Sequence, residues 1–215
     1  MELNELRRIV AKEELSLNVI AKDEMISKVL LKLHDNNDLI LKGGTAINRV
    51  YIKNKRFSED IDCDILWKGE VKDIIPRTNE IMEKMKEWTR DKPRIMKETI
   101  RHDLFYTNPL GHRDKIRLEF KIIKKALNYN KKIVNFGFVP CESALLNVYN
   151  LEELIVQKID CIMNRIEGKD FFDIYYLIDL PHKYIKELKA KKEEIINRIN
   201  LEEKQIKAVA DISNH

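Results

Sequence analysis

The sequence predicts an α/β fold of the α+β kind, with strands and helices intermixed in the first part of the chain and helix alone after that. Three observations carry this expectation. Apolar residues fall at helical spacing between about Ser16 and Leu33; polar and apolar residues alternate strictly over Ser58 to Ile65 and again over Lys115 to Ile123; and the pattern from Asn150 onward is helical. The chain therefore divides into an α/β domain over residues 1–145, N-terminal helices included, and a helical domain over residues 146–215 that completes the active site.

In the first segment Val19, Ile20, Met25, Ile26, Val29, Leu30 and Leu33 form one face of an amphipathic helix. Leu39-Ile40-Leu41 reads as a short strand that stops at Gly43-Gly44-Thr45, and Ala46 to Ile52 resumes as helix. Along Ser58 to Ile65, Ser58, Asp60, Asp62 and Asp64 face one way while Glu59, Ile61, Cys63 and Ile65 face the other. Helical spacing returns from about Lys72 to Trp88. Ile95 to Tyr106 and Lys115 to Ile123 read as two strands of a hairpin joined at Asn108-Pro109-Leu110-Gly111. A short strand is expected around Phe136 to Val139, and the helical region is interrupted at Gly168 and near Pro181, with a Lys/Glu-rich solvated helical tail after His182.

A length of 215 residues can bury a proper core, and 44% hydrophobic with 35% charged residues describes a globular, helix-rich chain. Forty Lys and Arg against 36 acids leave a net charge of +4, which permits a polyanionic partner without pointing to one. Cys63, Cys141 and Cys161 are widely separated and odd in number, which suits a reducing cytoplasm rather than a disulfide scaffold. The start lacks a basic region followed by an apolar run, and no apolar stretch reaches the roughly 18 residues of a membrane span, so a cytoplasmic protein with no membrane partner is expected. The five histidines show no ligand spacing.

The chemistry concentrates at Asp60 and Asp62. Residues i and i+2 of a strand project from the same face, where their carboxylates can bridge one hard cation such as Mg²⁺ or Mn²⁺. A lone Asp-x-Asp is more often a solvated strand face, but here a glycine turn lies just upstream. Gly43 and Gly44 let the backbone approach a ligand closely, and Thr45 opens a helix whose first N–H groups can meet phosphate oxygens. On the later strand Glu119 is the one acid among Lys115, Arg117 and Lys121, and it fits the place of a third carboxylate if its strand pairs with that of Asp60. Asp64 extends the strand without a ligand role.

Lys42-Gly43-Gly44-Thr45-Ala46 followed by Arg56-Phe57-Ser58-Glu59-Asp60-Ile61-Asp62 resembles the first motif of the AbiEii/AbiGii toxin family. Leu151-Glu152-Glu153-Leu154 through Lys158, then Arg165 and Lys169-Asp170-Phe171-Phe172-Asp173-Ile174-Tyr175-Tyr176-Leu177, resembles its C-terminal signature, so that the likeness covers about residues 16 to 180. The resemblance implies a polymerase β-like nucleotidyltransferase domain with a mixed sheet, followed by a helical C-terminal region. It implies an enzyme that binds a nucleoside triphosphate with Mg²⁺ or Mn²⁺ and acts on RNA at the 3′ end of a transfer RNA, as the toxin of a type IV toxin–antitoxin pair with a cognate antitoxin. It also implies roles in catalysis or nucleotide binding for Lys158 and for an Asp of the second block, of which Asp170 is preferred to Asp173.

The second block has a physical reading of its own. Asn150 with Glu153 forms a capping box, and Leu151, Leu154, Ile155 and Ile162 make an apolar stripe. At 100° per residue Lys158 lies about 20° from Leu151 and Arg165 about 40°, so both cations are expected to point inward and to need an acidic partner, in Asp170 or Asp173. The expected site is then Asp60 and Asp62 on the metal, Glu119, Lys158 and Asp170 in catalysis, and Gly43, Gly44, Thr45, Ser58 and Arg165 around the nucleotide. Transfer to a small molecule or a protein hydroxyl, and a nucleotide-sensing or nucleic-acid-binding module without turnover, are the competing readings.

Overall fold

A computed structural model describes residues 2–126, 128–165, 167–178 and 180. Two compact units divide the chain, Met1–Tyr149 and Asn150–His215. No helix among the described residues is long and apolar enough to cross a membrane.

The first unit begins with helices α1 (Leu3–Glu13) and α2 (Leu17–Lys32). Ser16 caps α2, its hydroxyl accepting from the Val19 amide, and this fixes the helix start where sequence spacing placed it. Strand β1 (Leu39–Lys42) runs straight into a short helix, α3 (Gly43–Ala46), which widens into one π-helical turn over Ile47–Tyr51. After β2 (Asp60–Leu66) come a 3₁₀ turn over Val71–Ile74 and α4 (Ile75–Glu83), so the helix expected from Lys72 to Trp88 is shorter at both ends.

Next follow β3 (Thr89–Arg90), β4 (Arg94–Met96), β5 (Thr99–Thr107), β6 (Arg113–Ile123), β7 (Tyr129–Val134) and β8 (Ala144–Tyr149). The strand expected from Ile95 to Tyr106 is broken: the chain reverses at Lys97-Glu98, and β4 folds back on β5 with Met96 opposite Thr99. No strand forms over Phe136 to Val139. That segment is a loop, and the strands lie on either side of it.

All eight strands join one mixed sheet in the order β3-β5-β6-β2-β1-β8-β7, with β4 also on β5. β1 is antiparallel to β2 and parallel to β8, while β2 is parallel to β6 and β5–β6 is a long antiparallel hairpin. One face is apolar: Leu39, Leu41, Ile61, Cys63, Ile65, Ile116, Leu118, Phe120, Ile100 and Leu104 are all buried. Helix α2 packs against β6 and β8, burying Ile20, Ala21, Ile26 and Val29. At roughly 25 cal/mol per Å² of apolar area removed from water, this layer is the main driving force of the unit.

A buried ion pair ties the layer together. Asp23 of α2, 3% exposed, accepts from Arg49 Nη2 at 2.8 Å on one oxygen and from the amides of Phe138 and Val139 at 2.7 and 3.1 Å on the other. Burial pushes this carboxyl above its ordinary value, against the pull of Arg49 and the two amides. A β-carbon at Gly137 would lie 1.9 Å from Asp23 Oδ1, so only glycine admits this approach of the loop. Asn54, in the left-handed region at φ 57°, donates to the carbonyls of Phe136 and Gly137 and secures the same loop from the other side.

His102 on β5 is 2% exposed, packs edge-on against Phe120 and leaves Nε2 without a hydrogen-bond partner. Burial holds its pKa down at about 4 against an ordinary 6.5. The unfolded chain therefore takes up a proton before the folded one does, and stability falls as pH drops through that window. We expect wild-type protein to lose about 3 kcal/mol more than a His102→Leu variant between pH 7 and pH 4, as read by denaturant unfolding at each pH.

Candidate active site

The polar face of the sheet is organised in rows that cross the strands. In β2 and β6 the parallel register sets Asp62 beside Glu119 and Asp60 beside Arg117. In the antiparallel pairs Lys42 stands opposite Asp62 and Arg101 opposite Glu119. One row thus reads Lys42, Asp62, Glu119, Arg101 across four strands. The pairing on which a third carboxylate depends is present, and it brings Glu119 to the Asp60–Asp62 pair.

Glu119, Asp60 and Asp64 are each compensated locally. Arg101 grips Glu119 Oε1 through Nε at 2.8 Å and Nη2 at 2.7 Å, and Arg117 Nη1 stands 3.5 Å from Asp60 Oδ2. Asp64, 5% exposed, is held by Lys42 Nζ and by the Tyr149 hydroxyl, which donates to its other oxygen at 2.6 Å. With both oxygens engaged by protein donors, Asp64 is a structural acid.

The glycine turn abuts this row. Gly43 has φ 68°, and a β-carbon there would sit 2.5 Å from Asp62 Oδ2. Backbone and carboxylate therefore meet with no room for a side chain. At Gly44 a β-carbon would lie 2.5 Å from Arg56 Nη2 and 2.8 Å from Ser58 Oγ. The Thr45 hydroxyl donates to the Asp60 carbonyl and lies 3.1 Å from Ser58 Oγ, while Asn48 bridges the Gly44 carbonyl and the Arg56 amide. These contacts lock the turn onto the first residue of β2, so Gly43, Gly44, Thr45, Ser58, Asp60 and Asp62 form one local constellation.

Among the described residues no three His, Cys, Asp or Glu side chains converge as a metal-ion set. The donor chemistry nevertheless fits magnesium, which is commonly held by one or two carboxylates together with substrate phosphates and water rather than by an all-protein cage. Asp60 and Asp62 would be those two carboxylates.

In the second unit, helices α5 (Leu151–Asn164) and α6 (Gly168–Ile178) pack on each other. Lys158 is 6% exposed within the stripe of Leu151, Leu154, Ile155 and Ile162. Its ammonium meets Asp170 Oδ1 at 2.6 Å and Asp173 Oδ2 at 2.9 Å, both acids being fully buried. Arg165 Nε donates to Asp170 Oδ2 at 2.9 Å. Burial alone would raise the Asp170 carboxyl, but the hydrogen bonds from Arg165 and Lys158 outweigh it and hold the group below its ordinary value.

Three local expectations are corrected here. Asn150 starts α5 without a side-chain capping bond, and Glu153 accepts from Gln157 at 3.2 Å, so the capping box does not form. Arg165 does not continue the apolar stripe: it is the C-cap, with extended backbone, and its side chain is 47% exposed. Gly168 opens α6 rather than ending α5.

Among curated proteins no sequence matches this chain. Solved structures do share its fold. MenT4, a nucleotidyltransferase toxin from Mycobacterium tuberculosis H37Rv, superposes with a TM-score of 0.62 at 16% identity, over 85% of this chain and 66% of that one. A candidate nucleotidyltransferase from H. pylori gives 0.54 at 16% identity over 88% and 86% of the two chains. An antigenic nucleotidyltransferase-like protein from Paracoccidioides brasiliensis gives 0.52 at 16% identity over 90% and 88%. The sequence pattern of the nucleotidyl transferase AbiEii toxin family, described as belonging to a type IV toxin–antitoxin system, matches residues 27–213.

The chain belongs to the AbiEii nucleotidyltransferase toxin family. Its mixed α/β architecture is the nucleotidyltransferase fold of the structures above, and the chain spans 66% of the length of MenT4. Within this family member the expected site residues fall into two groups. Asp60, Asp62, Glu119, Gly43, Gly44, Thr45 and Ser58 lie together in the first unit, and Lys158, Asp170 and Arg165 lie together in the second. Sequence reasoning missed Arg101, Arg117 and Tyr149 as partners of the carboxylates. For Arg117 the signal was available, since it precedes Glu119 by two and so shares its face.

Two substitutions test these assignments. Gly43→Ala is expected to destabilise the protein by about 1–2 kcal/mol in denaturant unfolding, because a side chain at positive φ is strained and its β-carbon displaces Asp62. Lys158→Met removes the cation shared by two buried carboxylates, leaving Asp170 with Arg165, and is expected to lower the stability of the α5–α6 pair by about 3 kcal/mol, seen as faster hydrogen exchange of α5 amides. The Asp170 part of that stability is present above its unfolded value of 3.8 and is lost as pH falls through the lower folded value.

Proposed function

We propose that this chain transfers a nucleoside monophosphate from a nucleoside triphosphate to the hydroxyl of an RNA acceptor, the 3′ end of a transfer RNA, as the toxin of a type IV pair with a cognate antitoxin. The observation that supports it most is the register of β2 and β6, which sets Asp62 beside Glu119 at the end of a glycine turn.

In this reading Asp60 and Asp62 would hold Mg²⁺ or Mn²⁺, which would supply positive charge to the triphosphate and to the departing pyrophosphate. Backbone amides at Gly43, Gly44 and Thr45 bind the phosphates, and Ser58 and Thr45 keep the turn in place. Glu119, fixed by Arg101, receives the proton of the acceptor hydroxyl as that oxygen attacks the α-phosphorus in line. In the second unit Asp170 and Asp173 fix the Lys158 side chain in one geometry.

The test incubates the protein and its Asp60→Ala variant with Mg²⁺, each of the four α-labelled nucleoside triphosphates, and total RNA. Label on RNA from the unmutated protein, lost in the variant, is the expected result. Label on the protein itself, or nucleotide binding that depends on Asp60 without any transfer to RNA, would instead favour a protein or small-molecule acceptor, or a sensing module.

A further inference from the structure

Beyond the carboxylates, the polar sheet face carries exposed charge of a single sign. From the Asp60 row toward the β5–β6 turn, β6 presents Arg117, Lys115 and Arg113 at alternate positions, and β4 adds Arg94 opposite Arg101. The side chains of Arg94 and Lys115 are 65% and 38% exposed. The one acid among them, Asp103, is 4% exposed and already bound by Lys115 at 2.8 Å, with Arg94 at 3.9 Å. A whole-chain charge of only +4 does not account for this concentration.

An aromatic ring sits among these cations. Phe105 stands opposite Lys115 in the β5–β6 register, with the Arg113 guanidinium 4.0 Å and the Lys115 ammonium 5.8 Å from its ring centre. The sheet order places this patch and the glycine turn on opposite sides of β2. A nucleotide on the glycine side therefore leaves the β5–β6 side for the second substrate.

We propose that this face is the docking track for the single-stranded 3′ end of the RNA acceptor, with phosphates on Arg94, Arg113 and Lys115 and a terminal base stacking on the Phe105–Arg113 layer. The inference rests on the nucleotidyltransferase reading given above. Same-face residues of a strand are ~7 Å apart, so Arg113 to Arg117 spans roughly 13 Å, the reach of a short unpaired end. Base–aromatic stacking needs an unpaired base, which favours a single strand over a duplex.

The experiment measures binding of a short single-stranded RNA by fluorescence anisotropy across a salt series. It compares the wild-type protein, an Arg94→Glu/Arg113→Glu variant, a Phe105→Ala variant and, as a charge-matched control, Lys12→Glu/Lys72→Glu. The last two lysines are exposed and lie in α1 and the 3₁₀ turn before α4. We expect the arginine reversal to weaken binding by roughly tenfold or more and to reduce the slope of log K against log salt by at least about 1.4, the value for two lost phosphate contacts on a single strand. Phe105→Ala should weaken binding with little change of slope, and the control should keep wild-type affinity.

Unchanged affinity and slope after the reversal, an equal loss in the lysine control, or equally tight binding of a blunt duplex would overturn the track. Asp60-dependent nucleotide binding, measured on every variant, reports that the fold and the glycine-side site are intact. Label transfer to RNA with an ineffective arginine reversal would overturn the track alone. The expected binding changes without any transfer by the wild-type protein would leave the track standing and remove the transferase reading instead.

Discussion

Mutual repulsion of carboxylates is the constraint around which this sheet is arranged. Asp60, Asp62, Asp64 and Glu119 share one face of two adjacent strands, and without compensation they would push the strands apart or take up protons. Cations come from the neighbours: Lys42 on Asp64, Arg117 beside Asp60, and Arg101 on Glu119. Because the compensating residues belong to β1, β5 and β6, charge balance and strand order support one another. The same arrangement separates a structural acid from available ones. Asp64 is buried and doubly engaged, whereas Asp60 keeps 37% of its side chain exposed and has only a loose 3.5 Å contact with Arg117.

Away from the polar face, the Asp23–Arg49 pair plays a comparable part. Arg49 belongs to the π-helical turn that continues from the glycine turn, and Asp23 belongs to the helix covering the apolar face. Their bond, with Ser27 accepting from Arg49 Nη1 at 2.6 Å, runs from the core to the helical turn that follows Gly43 and Gly44. Breaking such a buried pair by removing one partner strands a charge in the interior, so the position of the glycine turn is tied to the packing of α2.

Much of this was legible in the sequence. Alternation through Asp60, Asp62 and Asp64 marked β2 because one face of that strand is apolar and buried, and Lys158 stood out because a lysine in an apolar stripe needs anionic partners. β7 and β8 were missed for physical reasons. Tyr129–Val134 carries Lys131 and Lys132 side by side, which breaks alternation, and Ala144–Tyr149 is a short apolar run that period alone cannot assign to strand or helix. Both are strands because β1 offers a free edge, a tertiary fact. Arg165 was misread because helical phase was projected one residue past the helix end. The interruption expected near Pro181 and the tail after His182 lie outside the described residues.

The parallel pairing of β2 with β6 also bears on how the protein is made. Antiparallel neighbours can zip from a tight turn, but these two strands are separated in the chain by α4 and by β3 to β5, and their contacts have high sequence separation. During synthesis Asp60 and Asp62 leave the ribosome well before Glu119 does. A nascent or truncated chain ending short of β6 holds the first two acids without the third and without Arg117, so the charge-balanced row can assemble only after the hairpin has been synthesised and docked.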